Sequence, residues 1–229
     1  MNIVQGIKQF FRRVRTMMTR DKGVLTIISG FSGAGKGTVV KQLMSAYPDR
    51  FRLSISAKTS KPREGEAHGV HYFFIGKAEF EKMVSEDAFL EHADFVKHSY
   101  GTPKKYVQEM MDEGYDVILE IEQQGAFQVK KVMPEALLIF LTPPTIDELE
   151  KRLRGRGTES EEQIQGRLSQ AAIEAESIDL YDYIVINDDL DECVDSVLAL
   201  IDGARSSAKN SSRLIMQFKN ALKIYRKGE

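Results

Sequence analysis

The nine residues Gly30-Phe31-Ser32-Gly33-Ala34-Gly35-Lys36-Gly37-Thr38 combine four glycines with a lysine. Glycine lets successive backbone N–H groups turn toward one centre, which makes an anion nest. A helix opening in the same stretch adds the positive end of its dipole. Gly, four residues and Gly-Lys, placed between a strand and a helix, is the spacing of a phosphate-binding loop, or P-loop. All nine residues are therefore read as holding the phosphates of a nucleoside triphosphate, with Lys36 supplying a mobile charge to the β- and γ-phosphates. Gly37 stands where the general motif has Ser or Thr, so the usual hydroxyl ligand for Mg²⁺ is missing. Thr38 or water is left to complete the metal shell.

Other residues sort by the same test of type and spacing. Glu120 and Glu122 lie two apart at the end of the apolar run Val117–Ile121, which reads as a buried strand, so both are expected on one side. At a strand's carboxyl end beside a P-loop, that side is a ligand crevice. A salt bridge closing the sheet is the plainer alternative. Arg152, Arg154 and Arg156 alternate around Gly155, with Gly157 beyond and Arg167 on the following helix. Such a run is either a solvated basic face or a loop able to close over phosphates. His68 and His71 lack a second pair of metal ligands and read as solvated loop residues. Cys193 reads as a small packing residue in a helix.

These groups need a frame. Val24–Ser29 reads as a buried strand ahead of the glycines, and Gly37–Ser45 as the helix after them. Lys104–Glu113 reads as a helix ended by Gly114, and Ala136–Leu141 as a further buried strand. Ile146–Arg154 is helical, and a long helix opened by Ser160 is expected to reach about Asp179. Tyr183–Ile186 is the last strand and Leu190–Arg205 the last core helix. Residues 54–74 alternate and turn polar, predicting short strands and loops. Strands alternating with helices predict an α/β fold with a parallel sheet flanked by helices.

The chain has 229 residues, of which 42% are apolar and 29% charged, which excludes wholesale disorder and allows a sizeable core. One domain with additions is expected. No apolar run approaches ~18 residues, so no transmembrane helix or stable membrane insertion is expected. A single cysteine excludes an internal disulfide and fits a reducing compartment. With no secretory signal read at the N-terminus, a cytoplasmic location is expected. Residues 1–22 carry a charge of +5, residues 203–229 carry +6, and the middle carries −13. An acidic middle argues against a nucleic-acid surface, so local cations must hold any anionic ligand. The first 22 residues have apolar positions at helical spacing. They are read as packing on the body, or as preceding a true start at Met17 or Met18, ahead of contact with an anionic membrane. The linker Ser206–Ser212 precedes a basic helix expected over Leu214–Tyr225.

Over roughly residues 23–203 the sequence resembles guanylate kinase. The Gly35-Lys36-Gly37-Thr38 form is familiar from nucleoside monophosphate kinases. Ser54-Ile55-Ser56 leads into Pro62-Arg63-Glu64-Gly65-Glu66, Gly69 and Tyr72-Phe73-Phe74. Phe89-Leu90-Glu91-His92-Ala93 precedes Tyr100-Gly101-Thr102, and Leu119-Glu120-Ile121-Glu122 precedes Gln124-Gly125. Arg152-Leu153-Arg154-Gly155-Arg156-Gly157-Thr158 precedes Arg167, with Val185-Ile186-Asn187-Asp188 after it. The resemblance implies a P-loop NTPase core with a GMP-binding insertion over about 54–103 and a mobile lid over about 152–167. Residues 1–22 and 204–229 are then basic extensions, the latter helical.

The implied reaction is ATP + GMP ⇌ ADP + GDP, with Mg²⁺ as cofactor and dGMP as a further possible acceptor. The subunit is expected to be a monomer or a homodimer. The resemblance places Arg152, Arg156 and Arg167 with Lys36 around the transferring phosphoryl group. It places Glu91 on the guanine edge, assisted by the hydroxyls of Ser56 and Thr102 and by the Tyr100-Gly101-Thr102 segment. Arg63, Tyr72 and Tyr100 would hold the GMP phosphate. Glu120 and Glu122 would serve Mg²⁺ and the guanosine end, and Asn187 with Asp188 the adenine or ribose of ATP, with a plain turn after the last strand as the equal alternative. Because a GMP phosphate oxygen is already anionic, no general base is needed, and positioning with charge neutralisation suffices. One departure stands out. Ser60 occupies the position, three before Arg63, where the family usually has arginine. Lys58 or Lys61 is left to restore the charge. A binding module without activity and a kinase for a sugar phosphate are the two competing readings. The first tends to lack the lysine and arginines present here, and the second leaves Glu91 with no guanine to read.

Overall fold

The computed structural model describes residues 22–225 other than 96, 156 and 158, with the backbone alone at Phe95. The helix expected within residues 1–22 falls outside the described residues, as do the last four residues of the basic tail.

Strand β1 (Leu25–Gly30) is buried along its whole length and stands at the centre of a parallel sheet. Its partners are β7 (Asp116–Glu120) on one side and β8 (Leu137–Thr142) on the other. The outer strands are β2 (Phe51–Leu53), beside β7, and β9 (Tyr183–Ile186), beside β8. The sequences of β1, β7 and β8 are mostly apolar without strict alternation, as a sheet covered on both faces requires. Ile27, Ile28, Leu119, Leu138 and Phe140 form the middle of the core. The covering helices are α1 (Lys36–Ala46), α3 (Lys104–Asp112), α4 (Gln123–Val132), α5 (Ile146–Gly155), α6 (Glu161–Ala175) and α7 (Leu190–Arg205). The expected parallel α/β architecture is the one found.

Between β2 and α3 the chain builds a second, mixed sheet. Its strands are β3 (Ala57–Lys58), β4 (Phe73–Phe74), β5 (Phe89–Phe95) and β6 (His98–Pro103), in the order β4-β3-β6-β5. With α2 (Lys77–Ser85) it packs a small core of Ala57, Phe80 and Phe89. β5 and β6 are antiparallel, and their register shifts between Phe89 and His92. Such a bulge re-aims the side chains that sit in it, here including Glu91.

The sequence reading differs from this structure in several places. Helices α2 and α4 and strands β2, β5 and β6 were not predicted. Helix α6 stops at Ala175 and is followed by a 3₁₀ turn, Ile178–Leu180, so the long helix is shorter than expected. β7 ends at Glu120, and Glu122 occupies the N-cap position of α4, so the two acids do not share a strand face. The basic helix is present as α8 (Ser212–Ala221), continued by a 3₁₀ turn over Leu222–Tyr225. Among the described residues no helix is long and apolar enough to cross a membrane.

Asp116 fastens the sheet at the end opposite the P-loop. It is fully buried; Oδ1 accepts from Val24 N at 2.9 Å and from Arg205, and Oδ2 accepts from Arg50 Nε at 2.8 Å. One carboxylate thus joins the start of β1, the loop before β2 and the end of α7. Asp116→Ala takes the shared partner from two arginines and leaves the buried Val24 N–H without an acceptor, and is expected to cost about 3 kcal/mol of stability. Denaturant unfolding measures this directly; a loss below about 1 kcal/mol would contradict the fastening role.

Candidate active site

The carboxyl end of β1 feeds the glycine loop into α1, in the crevice between β7 and β8. Gly35 is the N-cap of α1 with φ 91°, a left-handed conformation that favours glycine. An added Cβ there would stand 2.4 Å from Asn187 Nδ2. That amide donates to Ala34 O at 2.7 Å, and Asn187 is 7% exposed. The structure therefore uses the Asn187 side chain to pin the loop to the end of β9, whereas Asp188 is exposed. Lys36 Nζ is drawn inward and donates to Gly30 O at 2.6 Å. Phe31, Ser32, Gly33, Lys36, Thr38 and Glu120 line a cleft of about 550 Å³ over the loop. A cleft of similar size among Lys22, Met111, Pro134 and Lys209 gathers none of the candidate groups.

Two of the three arginines are described, and Arg156 lies outside the described residues. Arg167 projects from α6 to the loop, where it donates to Ser32 Oγ; its other nitrogen pairs with Glu159 at 2.7 Å. Arg152, at the end of α5, donates to Asn187 O at 2.9 Å and to Glu148 Oε1 at 2.9 Å. Arg154 turns elsewhere and ties α5 to α6 through Glu150 and Glu161. The alternating run thus divides: Arg152 faces the loop's anchor, and Arg154 is a surface ion-pair residue. Helix α6 is set by a capping box in which Ser160 and Gln163 satisfy each other's backbone N–H groups. That cap fixes where the helix starts, and hence which face carries Arg167.

The segment from Glu120 to Gly125 connects two polar centres. At one end, the Glu120 carboxylate stands 3.4 Å from where a Cβ on Gly37 would be, so it borders the P-loop. Burial pushes its pKa above the ordinary glutamate range; the Lys36 charge opposes that shift and Glu122 adds to it. At the other end, a Cβ on Gly125 would stand 3.1 Å from Glu91 Oε2. The missing side chain of Gly125 is what lets α4 lie against Glu91.

Glu91 is 8% exposed, although a lone glutamate of this kind ordinarily reads as a surface residue. Thr102 Oγ1, fully buried on β6, donates to Glu91 Oε1 at 2.6 Å. Burial raises the Glu91 pKa, partly offset by the Thr102 hydroxyl. Gly101 lies flat under the Phe89 ring, where a Cβ would meet Cδ1 at 2.9 Å. Ser56 lies half-buried just before β3, its carbonyl accepting from Phe73 N at 2.9 Å. Tyr72 and Tyr100 meet edge to face at 6.1 Å. Arg63 is exposed on the loop between β3 and β4, where its backbone N–H donates to Glu66 Oε2 at 2.9 Å. Lys58, by contrast, is buried beside the two tyrosines.

Glu174 is a buried acid near Lys36 and Glu122 that the sequence reading passed over. It lies seven residues after Arg167, on the same helical face, and is 6% exposed. Burial raises its pKa; the Gln170 amide lowers it, and the charges of Glu122 and Lys36 also reach it. Gln123, in the first turn of α4, donates to its backbone carbonyl at 3.0 Å. Its spacing from Arg167 was the available signal.

The oxygen donors here, Thr38 and Glu120, suit Mg²⁺, which takes one or two protein oxygens and shares the rest with phosphates and water. Among the described residues no group of three or more His, Cys, Asp or Glu forms a metal cluster. The chain therefore fits a cation carried mainly by nucleotide phosphates.

The family profile described as guanylate kinase matches residues 22–204. The crystal structure of guanylate kinase from Anaplasma phagocytophilum is similar, with a TM-score of 0.64 and 28% identity, over 84% of this chain and 92% of that chain. The likeness to a second solved structure, APE1195, is slight, with a TM-score of 0.43 and 14% identity over 80% of this chain and 96% of that chain. With the profile spanning most of the sequence and the P-loop set against the Glu91–Thr102 pair, the chain belongs to the guanylate kinase family.

Proposed function

We propose that the protein transfers the γ-phosphoryl group of ATP to GMP, giving ADP and GDP. The observation that carries this reading is the segment from Glu120 to Gly125, which borders the P-loop at one end and the buried Glu91 carboxylate at the other. A donor site for a nucleoside triphosphate and a base-reading carboxylate then face one crevice. Residues 54–103 act as the acceptor-binding insertion, and residues 152–167 as the lid.

The loop amides and Lys36 hold the ATP phosphates, and Lys36 follows the charge of the γ-phosphoryl group. Arg167, already against Ser32, neutralises the same group, with Arg152 and Arg156 closing from the lid. Glu91 and the Thr102 hydroxyl face the guanine N1–H and exocyclic amine, both donors. Adenine presents a lone pair at N1, which Glu91 repels. Tyr72, Tyr100 and Arg63 surround the acceptor phosphate. The acceptor oxygen is an anion, so no side chain need take a proton, and catalysis rests on alignment and charge. Thr38 and Glu120 would hold Mg²⁺ beside the loop, where it would supply neutralisation of phosphate charge when bound.

Chromatographic resolution of nucleotides after incubation with ATP, Mg²⁺ and GMP tests the reaction. GDP and ADP should appear in equal amounts. ADP formed without GDP would indicate hydrolysis and contradict transfer.

A further inference from the structure

Lys58 is 3% exposed in the middle of the second sheet. In register, it lies opposite Tyr100 on β6 and opposite Phe74 on β4. Its ammonium stands 4.5 Å from the Tyr72 ring centre, 5.5 Å from Tyr100 and 5.9 Å from Phe74. The paired carboxylate oxygen, Glu66 Oε1, is 3.7 Å away, beyond hydrogen-bonding distance. A cation in so enclosed a residue is costly to desolvate, and the ring faces and the distant carboxylate offset only part of that cost. Two residues on, Ser60 Oγ is also buried, with no hydrogen-bond partner among the described residues.

The sheet fixes where this charge points. Tyr100 and Thr102 are two apart on β6 and share a face. Thr102 holds Glu91, so the cation and the base-reading carboxylate are carried by adjoining positions of one sheet. Lys61, the other candidate, is exposed on the loop.

We propose that Lys58 is the cation that binds the acceptor's phosphomonoester and makes the site select a nucleotide over the free nucleoside. The charge expected from an arginine at position 60 is delivered from a strand two residues earlier, as an ammonium set between tyrosine rings. This rests on the acceptor-site reading given above. Glu66 is the resident counter-ion, and its charge opposes the incoming phosphate.

Calorimetric titration of GMP and guanosine, without ATP, tests the assignment. Wild-type protein should bind GMP more tightly than guanosine. Lys58→Met should weaken GMP roughly 10- to 150-fold, the loss of a hydrogen bond to a charged group, and leave guanosine unchanged. Adding Ser60→Arg to that variant should recover much of the loss. Glu66→Gln, on a partly exposed loop residue, should tighten GMP by about threefold without touching guanosine, and reads the same charge if Lys58→Met does not fold. An unchanged GMP-to-guanosine ratio in folded Lys58→Met, or no gain in Glu66→Gln where Lys58→Met does not fold, would overturn the proposal and leave Lys58 as a packing cation. Wild-type protein that binds neither ligand would instead remove the guanine-site reading, and this inference with it.

Discussion

Replacing Lys36 with methionine is expected to lower kcat with ATP and GMP by roughly 10²- to 10³-fold, the usual cost of removing one preorganised charge stabiliser. The stem survives in this variant and only the ammonium goes. Lys36 Nζ sits inside the loop at 2.6 Å from Gly30 O. The fold should be little affected, because the loop is held independently by the Asn187 amide on Ala34 O and by Arg167 on Ser32. Unfolding midpoints and single-turnover rates separate the two effects. A variant that unfolds at the wild-type midpoint yet keeps its rate would show that Lys36 does not follow the transferring group.

Glu91→Ala is expected to erase most of the preference for GMP over AMP, an effect that can reach roughly 10⁴-fold where a site is built on buried polar pairing. The loss should come mainly from the weakened reaction of GMP, since the alanine removes an acceptor without supplying a donor for adenine. Thr102 loses its partner in the same step, so Thr102→Val should show a smaller version of the same change. Protonation offers an independent check. Glu91 must be ionised to accept both guanine donors, and burial raises its pKa in the free protein. GMP affinity should therefore fall on acidification at a pH above the ordinary glutamate range, near ~4.3, and the Glu91→Ala variant should lack that dependence. Titrations of GMP binding against pH provide the comparison. A fall with the same midpoint in both proteins would assign it to another group.

The legible parts of this chain are those whose signal is local. The run from Leu25 to Gly30 announces a buried strand, and the glycines after it a phosphate nest, because both depend on neighbouring residues alone. The strand Tyr183–Ile186 and the helix Leu190–Arg205 were placed at the bounds found. Helix α2 was less visible because it lacks a side-chain cap and buries only Phe80. Helix α4 is capped by Glu122, which the alternation with Glu120 assigned to a strand, and Gly125 weakens its helical pattern further. That glycine answers to the distant Glu91 carboxylate, a contact that no local pattern encodes. The burial of Glu91 depends on a bulge between two strands, and that of Lys58 on the rings of Tyr72 and Tyr100, which lie far apart in sequence. The family resemblance pointed to Glu91 where local reading would have left it on the surface. It left open whether Lys58 or Lys61 compensates for Ser60, and only packing separates them.

Phosphoryl transfer to a guanine nucleotide is tested most directly by following ADP release with ATP and Mg²⁺ against GMP, dGMP, AMP, UMP and ribose bisphosphate. Turnover is predicted with the guanine nucleotides and near background with the others. Turnover with AMP or ribose bisphosphate comparable to that with GMP, or none with any acceptor from folded protein that binds GMP, would contradict the account.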